Sequence, residues 1–139
     1  MKYLHRATVL FLFLGSTAMA ETFTGTQPMV CKPSTGHDCL PTEKSCTQLK
    51  PEPGKDLTMR IDVEKMTLKT PYRNDTMPIS SFGFNKASLV LQGTSLEIAW
   101  SATVNRTSGK LTLAIADREG AYVIFGQCQL DTAPPAKTP

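Results

Sequence analysis

The sequence predicts a small all-β domain: a single antiparallel meander that closes into a seven- or eight-stranded barrel, with a β-sandwich as the alternative. Three observations carry this. From Leu57 onward apolar and polar residues alternate with period two, the spacing of strands with one buried face. Short Gly-bearing segments such as Arg106-Thr107-Ser108-Gly109 and Asp117-Arg118-Glu119-Gly120 interrupt the alternation, and segments of that length and composition make hairpin turns. No i, i+3, i+4, i+7 apolar stripe runs for three turns, so no long helix is expected.

The first twenty residues, MKYLHRATVLFLFLGSTAMA, read as a cleavable secretory signal. Lys2 and Arg6 form a positive start, Ala7 to Leu14 a short apolar run, and Ala18-Met19-Ala20 a small-residue cleavage site. The apolar run is far shorter than the ~20 residues that span a bilayer, so no membrane insertion is expected. Two of the fifteen basic residues leave with the signal. Thirteen then face twelve acids, a net charge of +1. Charges alternate in sign rather than cluster, which disfavours nucleic acid as a partner because such binding needs grouped phosphate neutralisation.

Residues 21–130 are then a single β domain. Thr22 to Lys32 reads as a first strand broken at Pro28. Pro33 to Asp56 carries two of the cysteines, several prolines and little apolar material, and reads as a long loop held by disulfide rather than by packing. Leu57, Met59, Ile61 and Val63 form an apolar face, with Arg60, Asp62 and Glu64 on the solvated one. Leu89-Val90-Leu91 follows. Leu96, Ile98, Trp100, Ala102 and Val104 make the longest face, and Leu111, Leu113 and Ile115 answer from the returning strand. Tyr122 to Leu130 is the last strand. The tail, Asp131 to Pro139, is Pro-rich and reads as disordered.

All four cysteines, Cys31, Cys39, Cys46 and Cys128, follow the signal. An even count in a small exported domain reads as two disulfides, and four cysteines allow three connectivities. Cys31–Cys128, tying first strand to last, with Cys39–Cys46 closing a short loop, is the preferred pattern. Gaps of seven and six residues suit zinc poorly, since its ligands are usually two to four residues apart.

Chemistry-bearing residues are few. His37 is the one imidazole after the signal, so a nucleophilic or metal site would have to use it, with Asp38 beside it. Two adjacent ligands do not make a metal site, and no catalytic set, metal or cofactor is assigned. Met59 and Met66 read as core packing rather than as soft metal ligands. Asp62 and Glu64 read as a solvated face rather than a paired acid and base. Asn74-Asp75-Thr76 and Asn105-Arg106-Thr107 match the glycosylation pattern, which matters only in a eukaryotic route, and this signal looks bacterial. Trp100, the single tryptophan, reads as a core anchor or as the lining of a barrel that holds a ligand. Phe82 reads as an aromatic offered to a partner.

At Thr24-Gly25-Thr26-Gln27-Pro28-Met29-Val30-Cys31, Leu89-Val90-Leu91-Gln92-Gly93, Thr107-Ser108-Gly109-Lys110-Leu111 and Val123-Ile124-Phe125-Gly126-Gln127-Cys128, the chain resembles a group of small, cysteine-containing exported proteobacterial proteins of unassigned function. The resemblance implies a compartment and a fold. A lesser likeness is to the periplasmic β-barrels that inhibit lysozyme, which share a disulfide, a Trp-bearing strand and a meander. Their inhibitory loop with Ser and Arg is absent here, so that activity does not transfer. The expectation is a periplasmic or secreted, non-enzymatic binding or accessory protein of the bacterial envelope, taking a protein or small ligand on the covalent loop around His37. The alternatives are a small hydrolase or metal-binding protein using His37, and a structural envelope protein.

Overall fold

A computed structural model describes residues 22–50, 53–70 and 76–132. The expected signal and the tail beyond residue 132 lie outside the described residues, as do Asn74 and Asp75 of the first glycosylation pattern. Among the described residues ten strands form one antiparallel sheet. They are β1 (Met29–Cys39), β2 (Thr47–Gln48), β3 (Met59–Asp62), β4 (Thr67–Lys69), β5 (Thr76–Pro78), β6 (Ser81–Phe84), β7 (Ser88–Ser95), β8 (Ile98–Asn105), β9 (Lys110–Ala116) and β10 (Ala121–Leu130). Nine follow one path, β5-β4-β3-β1-β10-β9-β8-β7-β6, and β2 adds to β1 beside it. The path curls into a half-barrel. A two-sheet sandwich is not formed, and the strands outnumber the seven or eight expected because Thr47–Gln48 and the short strands around Pro78 each pair.

The expected loop from Pro33 to Asp56 is corrected at its start. β1 runs unbroken through Pro33 to Cys39 and pairs with β10 along its length. A register shift between Pro33 and Thr35 accompanies this: Pro33, which has no N–H for the ladder, stands opposite Gly126, and the bulge leaves Ser34 unpaired directly after it. Across from it, Gly126 lets the strands meet, since a Cβ there would lie 2.6 Å from the Lys32 carbonyl oxygen. The other edge of β1 is shared. β3 takes Met29 to Cys31, and β2 takes His37 and Asp38.

The two disulfides are Cys31–Cys128 and Cys39–Cys46, and no cysteine is free. Cys31 faces Cys128 directly in the β1–β10 ladder, so the bridge joins the first strand of the path's centre to the last strand of the chain. Cys39–Cys46 closes the β1–β2 turn.

Inward-facing residues fill the curl: Met29, Met59, Ile61, Leu68, Leu89, Leu91, Trp100, Val104, Leu111 and Leu113 are all buried. Period-two alternation places them, as each strand turns every second side chain to the concave face. One end of the half-barrel is stoppered. The expected strand over Thr22 to Lys32 starts only at Met29, after Pro28, and the preceding stretch instead buries Phe23. Arg106 fixes it there: the Phe23 N–H donates to the Arg106 carbonyl at 3.0 Å, and Arg106 Nε donates to the Phe23 carbonyl at 2.9 Å. The same guanidinium donates from Nη1 to the Asn85 carbonyl at 2.7 Å and lies 5.3 Å over the Phe84 ring.

Three further expectations change. Leu96 does not extend the inner face of β8. It sits in the two-residue β7–β8 turn with φ 54° and is 92% exposed. Met66 belongs to the β3–β4 turn, also at φ 54°, and is only half-buried. Asp62 is buried rather than solvated, because β3 ends there and the chain turns inward. Its Oδ1 accepts the Lys65 N–H at 3.0 Å, and its Oδ2 lies 3.1 Å from Lys65 Nζ.

Candidate functional site

The end of the half-barrel opposite Phe23 is open. A cavity of about 330 Å³ lies there, lined by Met59 of β3, Met77 of β5, Ile98 of β8, Leu113 and Ile115 of β9, and Ile124 of β10. Leu49, Lys50, Thr70, Asp117 and Tyr122 complete the wall. The volume falls at the low end of the ~300–1,000 Å³ typical of ligand pockets, and the lining has their usual character, apolar with a few polar groups at the edge. Topology explains the position. The start of β8, the end of β9, the start of β10 and the end of β4 all lie at this end of an antiparallel path, and among the described residues no buried aromatic like Phe23 fills it.

The rim is held by local hydrogen bonds. Asp117 Oδ1 accepts the N–H groups of Glu119 at 2.8 Å and Gly120 at 2.9 Å, which sets the β9–β10 turn. Arg118 donates to Glu97 Oε2 at 2.7 Å and so ties that turn to the β7–β8 turn. Leu49 forms one wall: its N–H donates to the Gly36 carbonyl at 2.9 Å, and its side chain lies over Gly36, where an added Cβ would stand 3.0 Å from Leu49 Cδ1. Cys39–Cys46 and β2 bring Leu49 and Lys50 to this place.

Trp100 is buried, directly opposite Gly93 on β7 and Ile115 on β9. Gly93 is required by the ring, because a Cβ there would meet the indole at 2.6 Å and collide with the Pro78 carbonyl oxygen. Trp100 Nε1 is a buried donor with no hydrogen-bond partner among the described residues. Trp100 therefore packs next to lining residues without itself lining the cavity. Ile98 lies two residues along the same face of β8, and Ile115 faces Trp100 across the ladder.

The residues singled out in the sequence do not gather into one site. His37 stands in β1, opposite Gln48 and Val123, with its ring edge-on to Phe125 at 6.5 Å between centroids. It is half-buried in a strand, not at a loop tip. Asp38 follows it in the strand, so the two side chains leave opposite faces of the sheet and cannot act on one atom. Among the described residues no three His, Cys, Asp or Glu side chains are grouped as a metal would require. Phe82 is exposed on β6, with Phe84 two residues on and also exposed. Both lie far along the path from the cavity-bearing strands β9 and β10.

Lys50, Met77, Ile115, Asp117 and Tyr122 were not foreseen as site residues. The alternation marks an inward side chain without telling whether it meets another side chain or empty space. No helix among the described residues is long and apolar enough to cross a membrane. Compared with protein-family models, with curated proteins and with solved structures, the chain matches none.

Proposed function

We propose that this is an exported, non-enzymatic binding protein of the bacterial envelope, and that its site is the apolar cavity at the open end of the half-barrel. The observation that carries the reading is the cavity: about 330 Å³ walled by Met59, Met77, Ile98, Leu113, Ile115 and Ile124 in a chain of this size. Such a space is unfavourable if left empty, since side chains around a void lose dispersion contacts, and it offers an apolar guest the burial it lacks in water. Two disulfides with no free thiol suit an oxidising compartment, which supports export to the periplasm or beyond. The resemblance to small exported proteobacterial proteins agrees with that placing. Full closure of the strands into a barrel belongs to the same reading. The hydrogen bonds from the Ile79 N–H to the Met66 carbonyl and from the Ser80 N–H to the Gln92 carbonyl support it, since they draw β4 and β7 toward one corner.

The site is thus the half-barrel mouth rather than the covalent loop around His37. The test uses an uncharged apolar dye, N-phenyl-1-naphthylamine, whose emission rises on leaving water. Saturable enhancement with the parent, lost in Ile115→Phe, is the expected outcome. Absence of enhancement, or enhancement that the filled variant keeps, would remove the cavity as the site.

A further inference from the structure

We infer that the guest of this cavity is a single-chain amphipathic anion: an unbranched alkyl carboxylate whose tail lies among Met59, Met77, Leu113, Ile115 and Ile124 and whose head pairs with Lys50. The inference rests on the cavity being the binding site and adds the chemical class of its occupant.

Three observations select that class. The first is the charge at the rim. Glu97 and Arg118 neutralise each other at 2.7 Å. The Asp117 carboxylate is engaged by two backbone N–H groups of its own turn. Lys50 lines the cavity, and the ion pairs among the described residues, Arg60–Asp131, Lys65–Asp62 and Arg118–Glu97, do not include it. A cation at the edge of an apolar space, here carried by an exposed lysine, favours a ligand with an anionic end.

The second is size. About 330 Å³ accommodates one chain of roughly medium length or one small ring system, and a two-chain lipid exceeds it. The third is the lining. Met59 and Met77 carry unbranched, polarisable side chains that re-pack around a flexible guest. Tyr122 and Thr70 add hydroxyl groups to the wall that Lys50 also lines, so a head group meets polar partners there as well as the cation.

Position strengthens the assignment of Lys50. It follows Leu49, which the Gly36 carbonyl holds through its N–H, and β2 and Cys39–Cys46 anchor both from the other side. The cation is thus delivered to the rim by covalent and hydrogen-bonded restraint rather than by a free loop.

The test is titration of the full secreted chain with sodium decanoate, 1-decanol and decylamine, each below its aggregation limit, read by calorimetry and by Trp100 emission. Trp100 is the single tryptophan and adjoins Ile98 and Ile115, so a guest between those residues changes its signal. Decanoate is expected to bind tightest and decylamine weakest. Lys50→Glu should weaken decanoate about tenfold or more while leaving decanol unchanged, Lys50→Arg should retain it, and Ile115→Phe should abolish both. Unchanged circular dichroism shows that the variants fold. Decanol binding as well as decanoate, with no effect of Lys50→Glu, would overturn the anionic class and leave the cavity site standing. Tighter binding of decylamine would overturn it in favour of Asp117. Decanoate binding that survives Ile115→Phe would place the ligand elsewhere, and no binding by any of the three would overturn both the class and the site.

Discussion

At the residue scale, three positions stand out, each for a reason that can be measured. Asp62 is the first. Burial by itself pushes its carboxyl up, but the Lys65 N–H, the Lys65 ammonium and then Arg60 pull it down further, and the net shift is below the ordinary carboxylate value. A depressed folded value means that its stabilisation is full above the unfolded-state value of ~3.9 and fades as pH falls through the folded one. Asp62→Asn should therefore lower stability at pH 7 by about 1–2 kcal/mol, and the gap from the parent should close as pH falls through and below the ordinary carboxylate range. Urea unfolding from neutral to acid pH tests it, and a constant gap would contradict the assignment. Gly93 is the second. Gly93→Ala forces a methyl group against the indole of Trp100 and the Pro78 carbonyl, and should cost about 1–3 kcal/mol by urea midpoint. Leu96 is the third. A leucine at φ 54° bears a left-handed conformation that costs it roughly 1–2 kcal/mol, and at 92% exposure packing returns little. Leu96→Asn should raise the urea midpoint, by up to about 1 kcal/mol of stability. In the sequence Leu96 reads as inward because the alternation of β8 continues through it unbroken. A turn two residues long leaves no compositional mark when neither residue is Gly, Asn or Pro.

At the scale of elements, the legible parts are those where burial alone decides. β7, β8 and β9 lie close to where the alternating runs place them, because each has one face on the core and one in water. β1 beyond Lys32 was not legible. Pro33, Ser34, Thr35 and Gly36 have the composition of a loop, and what makes them a strand is a ten-residue β10 alongside, a bulge, and cysteines in register. Those are tertiary facts that no local window contains. The same holds for Phe23, whose burial depends on Arg106 eighty-three residues away. The two bridges differ accordingly. Cys31–Cys128 spans 97 residues and constrains the unfolded chain most, on the order of 4–5 kcal/mol, whereas Cys39–Cys46 spans seven and contributes roughly 2–3 kcal/mol. Replacing Cys39 and Cys46 by Ser should leave a folded protein that has lost much of its affinity for the dye, since Leu49 and Lys50 lose their anchor. Replacing Cys31 and Cys128 should instead lower global stability. Paired thermal unfolding and dye titration separate the two effects, and equal loss of both properties in both variants would contradict this division.

At the scale of the whole molecule, the half-barrel has two unlike ends. One is stoppered by Phe23 under Arg106, and the other opens into the apolar cavity. The all-β class follows from patterning that any inward-facing strand would show. The cavity does not, because Met77 and Ile115 look the same in sequence whether they face a neighbour or a void. Its existence depends on the rim, where Leu49, Ile98 and the pair Asp117 and Tyr122 come from three separate parts of the chain. The most direct measurement is a methyl-resolved NMR titration of the oxidised protein with the uncharged dye. The account predicts saturable shifts at the methyl groups of Met59, Met77, Ile98, Leu113, Ile115 and Ile124, with Leu89 and Val104 at the stoppered end unmoved. Shifts confined to residues outside that set, or none at concentrations where the dye is soluble, would contradict it.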